Sequence, residues 1–374
     1  MSDTETTTPE PQQQPRSGAM RLAGGSAARR AGSVATRQRF FAVLVLLIAV
    51  FVFFALSQNR FFTSANIDAL LTSASVLWMV AIGLTFVMLT GGFDLSLGSM
   101  LALSGIALGA FVNDLNLPIG IAVLLTLLFG LGVGAAVNGF LIGRVGLPFL
   151  VVTLGTLTLY AGLVNLWSGT KTTQVISSVL DGLAFNHALG VPVTVWIMLG
   201  VWLIALFVQR STYFGRDVYA VGGSADAAQL SGVRVSRTLI SVYALAGMLA
   251  AAAGVIQVAR IGASSPQVGG TVIFDAAAAV LLGGTSFAGG IGGVGGTAVG
   301  VLFLATLQNG LSVSGVASYW QQIITGAILI IVVASDKAQR EGLRSLGLWP
   351  AGARGAGRGS APSEPPPASD ESVK

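Results

Sequence analysis

The sequence contains no cysteine and one histidine, His187. Disulfides, thiolate metal sites and imidazole clusters are excluded, and no metal site is expected. Charge is scarce too. Only 9% of the 374 residues are Asp, Glu, Lys or Arg, where soluble domains carry about 25%. No G-x-x-x-x-G-K-[ST] phosphate loop occurs. The glycine-rich run at 283–296 has no lysine and follows no strand, so it is no ATP site. No Ser/His/Asp constellation is available, so catalytic residues are expected to be none and an intramembrane enzyme is disfavoured. No cofactor is expected on this chain.

Apolar residues are what the chain has in abundance: 53% of the total, with a mean hydropathy of +0.79. They fall in continuous runs rather than alternating, which argues for helices and against a barrel. The expected fold is all-α, a polytopic integral membrane helical bundle of about ten transmembrane helices, some short or broken. A span needs roughly 20 apolar residues. The expected spans are 40–56, 67–89, 95–112, 118–141, 148–167, 191–208, 239–258, 272–284, 296–311 and 319–333. The eighth is short, Ala-rich and followed by GGTSFAGGIGGVGG, which marks it as partial or broken. Within the fourth, Gly130, Gly134, Gly139 and Gly143 are spaced for close backbone packing. Trp78, Trp167, Trp196 and Trp320 are expected near span ends, as interfacial anchors.

Positive charge sets the orientation. Six arginines precede the first span and six basic residues follow the last; Arg144, Arg210, Arg216, Arg234 and Arg237 fall on the same side. Only Arg60, Lys171 and Arg260 fall opposite. Both termini are therefore expected in the cytoplasm, with the chain crossing the inner (plasma) membrane many times. The net charge of +5 and pI near 10.0 follow from this loop bias, so no nucleic acid partner is inferred. No cleaved leader is expected, since the first apolar run is long enough to span. Residues 1–39 and 337–374 are expected to be disordered cytoplasmic tails around a membrane domain at 40–336, with residues 209–238 in the cytoplasm.

One stretch inside that domain looks soluble: GRDVYAVGGSADAAQLSGVRVSR, residues 215–237. Ser224 can cap a helix, Asp226 falls in its first turn, and Gly232 stands where a left-handed terminator belongs. A helix of about two turns is expected between Gly222–Gly223 and Gly232. It is too short to stand alone, and its small side chains suit insertion into a groove.

Other chemistry-bearing residues are few. In GGFDLSLGS, Gly91 and Gly92 break a helix, and Asp94 or Ser96 can cap the next. That segment reads equally as a gate on a pathway or a tight capped turn. Asn138, Asn165, Gln308 and Asn309 place amides inside spans, where they can meet a polar solute or link helices. Arg260 and Asp275 flank an expected outer loop and could steer a docking protein.

Five segments, in order, resemble the ribose/xylose-type sugar ABC transporter permease family. They are GGFDLSLGSMLALSG (91–105), LPFLVVTLGT (147–156), the loop T-x-F-G-R-x-x-Y-A-x-G-G-x-x-x-A-A-x-x-S-G-V (212–233), FDAAAAVLLGGTSFAGGIGGVGGTAVG (274–300), and NGL with WQ at 309–311 and 320–321. The resemblance covers about 40–336 and makes that region a transmembrane permease domain. It implies that the 209–238 loop couples to an ABC ATPase subunit, with Gly215, Arg216, Gly222, Gly223, Ser224, Ala227, Ala228, Ser231 and Gly232 as coupling residues. It implies a periplasmic or lipid-anchored sugar-binding protein, a homodimer or heterodimer of permeases in membrane lipid, and ATP bound by the partner subunit. The function implied is import of a monosaccharide by ATP-driven alternating access. Ser224 stands where Asn is common, Gln229 where a basic residue is common, and Asp275 near the usual Glu. The alternatives are a permease for nucleosides or branched-chain amino acids, or an ion-coupled secondary transporter. The latter would want midplane carboxylates that the sequence lacks.

Overall fold

The computed structural model describes residues 41–345, and about three quarters of them are helical. Seven helices are long and apolar enough to cross a membrane, and three shorter apolar ones accompany them. In chain order the apolar helices are α1 (Phe41–Ser57), α2 (Ser64–Leu89), α3 (Leu97–Asn113), α4 (Ile119–Val145) and α5 (Phe149–Ser168). After a short α6 (Ser178–Phe185) comes α7 (Val193–Ser211). Two helices, α8 (Tyr213–Gly223) and α9 (Ala225–Leu230), precede α10 (Val235–Ile261). The chain continues through α11 (Val272–Leu282), α12 (Val294–Val313) and α13 (Ser318–Ser345). The chain is thus a multi-pass helical membrane protein. Each expected span has its helix within a few residues, because backbone polar groups in lipid must bond within their own segment.

The short eighth span is borne out: α11 has 11 residues, about 16 Å of rise against a hydrocarbon core of about 30 Å. At the other end, α13 runs on to Ser345, past the expected boundary at Asp336. The two tails otherwise lie outside the described residues. What little β structure exists is two pairs of two-residue strands, β1 (Thr173–Gln174) with β4 (Ala263–Ser264) and β2 (His187–Ala188) with β3 (Val191–Pro192).

Packing centres on α2 and α10, with α3, α11 and the start of α12 around them. Four of the six glycines of α4, at 130, 134, 139 and 143, face α10. An added methyl would meet Ala251 and Gly247 from Gly130, Tyr243 and Gly247 from Gly134, Ile240 from Gly139, and Ser236 from Gly143. The step from Gly134 to Gly139 is five residues, which on an α-helix would turn Gly139 about 140° off that face. The helix instead takes π turns over Gly134–Gly139 and Leu141–Val145. The wider turn absorbs the extra residue, so the glycine seam stays on α10 along the whole helix.

Trp78 departs from expectation. It lies mid-way along α2, 5% exposed, with no partner for its indole N–H. It is a core residue, because α2 is packed inside the bundle along most of its length and Trp78 lies in that packed stretch.

Candidate functional site

The soluble-looking stretch forms two capped helices. Thr212 accepts from the backbone N–H of Gly215 at 3.1 Å and opens α8. Ser224 accepts from Ala227 N–H at 3.3 Å and opens α9. Gly232 then takes φ 87°, a left-handed turn that glycine adopts without strain, and α10 follows. The second helix is the one the sequence predicts. The first, α8, is missed by reading 215–223 as a lead-in, because its two terminal glycines lower its propensity. Thr212, three residues ahead of Gly215, is the signal that could have found it.

The structure sorts the nine coupling candidates onto two faces. Arg216, Gly223, Ala227, Ser231 and Gly232 are exposed and Ser224 half-exposed. The Arg216 guanidinium lies 4.2 Å from the centre of the Tyr213 ring, and Leu230 beside Ala227 is 91% exposed. Gly215, Gly222 and Ala228 point inward, contrary to their expected place on a docking surface. A methyl on Gly215 would strike the carbonyls of Val208 and Gln209, and one on Gly222 the carbonyl of Leu89 and the N–H of Gly290. These are close-approach positions. Gly222 seats α8 where the end of α2 meets the 283–293 loop, and Gly290 N–H donates to Leu89 C=O there at 2.9 Å.

A polar knot lies at the same end of the bundle. Asp94 Oδ1 accepts from the N–H of Ser96 at 2.9 Å and from its hydroxyl at 2.6 Å; this closes the turn ahead of α3, whose own first N–H groups receive no side-chain cap from Asp94 or Ser96, contrary to expectation. Asn138, on the π turn of α4, donates to Asp94 Oδ2 at 3.1 Å and to Ser96 Oγ at 2.8 Å. All three are buried. The Asn138 carbonyl and the hydroxyls of Tyr160 and Tyr243 are also buried and have no hydrogen-bond partner among the described residues. Phe93 and Phe287 stack at 5.1 Å, which joins this segment to the glycine loop. Three of the six pathway candidates therefore converge. One carboxylate thus serves both the local turn and a contact to a distant helix.

The other three go elsewhere. Asn309 exchanges two hydrogen bonds with Asn66, at 2.9 and 3.0 Å, and ties α12 to α2. Gln308 bonds Thr325 at 3.4 Å. Asn165 is exposed on α5, among Leu159, Leu163 and Leu166. The two expected rim charges are likewise engaged by the bundle. Arg260 donates to Ser73 Oγ at 2.6 Å and to Gln257 Oε1 at 3.1 Å, and Asp275 is half-buried in the first turn of α11. Neither stands out from the surface as a docking charge would. What the sequence did not point to is the hydrogen bond between His187 Nε2 and Asp68 Oδ2 at 3.0 Å, which ties the β2–β3 hairpin to α2. Among the described residues no three His, Cys, Asp or Glu converge as a metal site.

Residues 66–333 match the family model described as branched-chain amino acid transport system / permease component. The chain is 36% identical over 309 residues to the ribose import permease protein of Haemophilus influenzae, covering 82% of this chain and 94% of the relative. It is 38% identical over 302 residues to the ribose import permease protein of Escherichia coli K12, covering 80% and 93%. The xylose transport system permease protein of Escherichia coli K12 is 32% identical over 362 residues, covering 80% and 92%. No solved structure matches the chain.

Proposed function

The chain belongs to the family of branched-chain amino acid-type transport system permease components, and from that premise we propose that it is the membrane subunit of an ABC importer for a pentose-type monosaccharide. Its similarity to ribose and xylose permeases supports the substrate class. Both termini and α8–α9 face the cytoplasm, as the bias of basic residues requires. A separate ATPase subunit binds and hydrolyses ATP, and this chain does no chemistry and carries no cofactor. A soluble or lipid-anchored binding protein delivers the sugar from the other side.

The observation that carries this reading is the two-faced α8–α9 unit. Its inner face is fitted glycine-to-backbone against the end of α2 and the 283–293 loop, while its outer face offers Ala227, Leu230 and Arg216 to a partner. A unit held this way moves with the bundle when pushed. A second copy of the permease completes the pathway. The outward face of α5 supports it: Gly155 and Gly162 have nothing within 4 Å, and the Asn165 amide is exposed beside them. An amide facing lipid alone is costly, and small residues allow a helix of the second copy to approach.

The test is ATP-dependent uptake into vesicles holding this chain with its ATPase and binding protein. Ala227→Arg with Leu230→Glu alters two exposed side chains and leaves buried Ala228 alone. We expect normal insertion, loss of ATPase binding, and at least a tenfold loss of ribose or xylose uptake, in line with truncating an interface hot spot. Normal uptake by the variant, or uptake of leucine in preference to pentoses, would overturn the reading.

A further inference from the structure

One glutamine joins three helices at the base of α8. Gln209, in the last turn of α7, is 7% exposed. Its Oε1 accepts from the N–H of Val294 at 2.9 Å. Val294 opens α12, so that N–H is one of the donors a helix start leaves without a backbone acceptor. Its Nε2 donates to the hydroxyl of Tyr219 on α8. Tyr219 in turn donates to the carbonyl of Gly292 at 2.6 Å. Burial pushes the Tyr219 phenol above its ordinary value of 10.0, so it remains a donor through the physiological range. Trp202 adds a bond from α7 to the carbonyl of Val294 at 3.0 Å.

The surroundings are shaped to this arrangement. Gly293 has φ 153° and ψ 170°, and a side chain there would occupy the space of the Gln209 amide. One turn beyond Tyr219, Gly222 is seated against Leu89 and Gly290. A displacement of α8 is thus passed by directional hydrogen bonds to the first residue of α12, and by packing to the end of α2. Helix α12 has 20 residues, about 30 Å of rise. Near its far end Asn309 is bonded to Asn66, and Gln308 to Thr325. A movement imposed at Val294 reaches the opposite end of the bundle as movement of a rigid rod.

We propose that Gln209 and Tyr219 form a latch that converts displacement of α8 into movement of α12, as positioning residues of the transport cycle. This rests on the importer reading above. Packing alone would hold α8 in place, since Val218 and Val221 are buried. The two polar side chains add a fixed register between α8 and α12, which apolar packing specifies poorly because it is non-directional. The latch faces inward, so losing it leaves the outer face of α8–α9 available to the ATPase.

The experiment compares wild type with Tyr219→Phe and Gln209→Met, each reconstituted with the ATPase and binding protein. It reads sugar transported per ATP hydrolysed, together with ATPase binding and melting temperature. Tyr219→Phe keeps the ring and removes the bond to Gly292. We expect assembly and hydrolysis within about twofold of wild type and sugar per ATP lowered roughly tenfold, the size of one lost buried hydrogen bond. An unchanged ratio overturns the latch, as does a proportional fall in hydrolysis and uptake, which marks a merely structural role. Should Tyr219→Phe fail to fold, Gln209→Met carries the same comparison. A spin label at Ser312→Cys, unique in a chain without cysteine, gives a second readout: its ATP-dependent shift is present in wild type and lost in both variants. Persistence of that shift in the variants also overturns the latch. Wild-type vesicles that take up neither pentose with ATP overturn the importer reading itself.

Discussion

Helices α2 and α5 have nearly the same mean hydropathy, 2.0 and 1.8, yet 89% of the apolar stretch of α2 is buried in the bundle against 28% of that of α5. Hydropathy therefore reports that a segment tolerates lipid, and says nothing about whether it meets lipid. What separates the two is the partner surface. Helix α2 is enclosed by α10, α11 and α12, and Gly83 lets it approach Ala246 of α10, where a methyl would sit 3.1 Å from the backbone. Helix α5 turns its own glycines outward. In lipid the apolar effect gives no reason to prefer a helix over a lipid tail, so close packing of small residues and a few hydrogen bonds decide the arrangement.

The largest effect should come from a glycine at the packed centre. Gly247 of α10 lies where an added methyl would meet the carbonyl of Gly130, and Gly247→Leu cannot be accommodated by side-chain shifts alone. We expect loss of monodisperse protein, a cost beyond the roughly 1–3 kcal/mol of ordinary overpacking. Gly155→Leu on α5 should leave the melting temperature of the single chain unchanged and weaken only self-association, read by crosslinking in membranes. Equal damage from both substitutions would erase the distinction between the two regions.

Next in size is Asp94→Ala. It leaves the Ser96 N–H and hydroxyl and the Asn138 amide without their carboxylate acceptor in a buried site. A buried donor without a partner costs about 1–3 kcal/mol, so a clear fall in melting temperature is expected. Ser96 and Asn138 retain their mutual bond, so the bundle should still assemble. If melting is unaffected, the knot is solvated in solution and its burial is overstated.

Asn309→Ala should be the mildest, since interhelical polar bonds in membranes average about 0.6 kcal/mol. Among the described residues its side-chain bonds run to Asn66 alone, while Asn66 also donates to the Phe61 carbonyl at 2.8 Å, so Asn66→Ala with Asn309→Ala should melt close to Asn66→Ala by itself. Additive losses would mean that one of the pair has another role, such as contact with the transported solute.

Much of the architecture was legible beforehand. A chain with so few charges must fold in lipid, and apolar runs of this length must be helices, so ten runs became ten apolar helices with α11 the short one. Ser224 and Gly232 announced α9 by local chemistry that does not depend on the rest of the fold. The site was legible only in part. Asp94 and Ser96 sit two residues apart, but Asn138 reaches them across 44 positions, on a π turn that no local pattern announces. Ala228 reads as a docking residue from its motif and is buried, and Arg260 reads as a rim charge and bonds inside the bundle. In each case the residue type was informative and the direction of its side chain was not.

The sequence by itself determined the solvent, the apolar spans and the chemistry on offer, because hydropathy, caps and glycine turns act over a few residues. Only the tertiary structure decided which polar groups meet and which glycines are crossings. It also decided which face of α8–α9 is left for a partner. Those outcomes depend on contacts between residues tens to hundreds of positions apart, and in a membrane they are selected by packing that no single segment encodes.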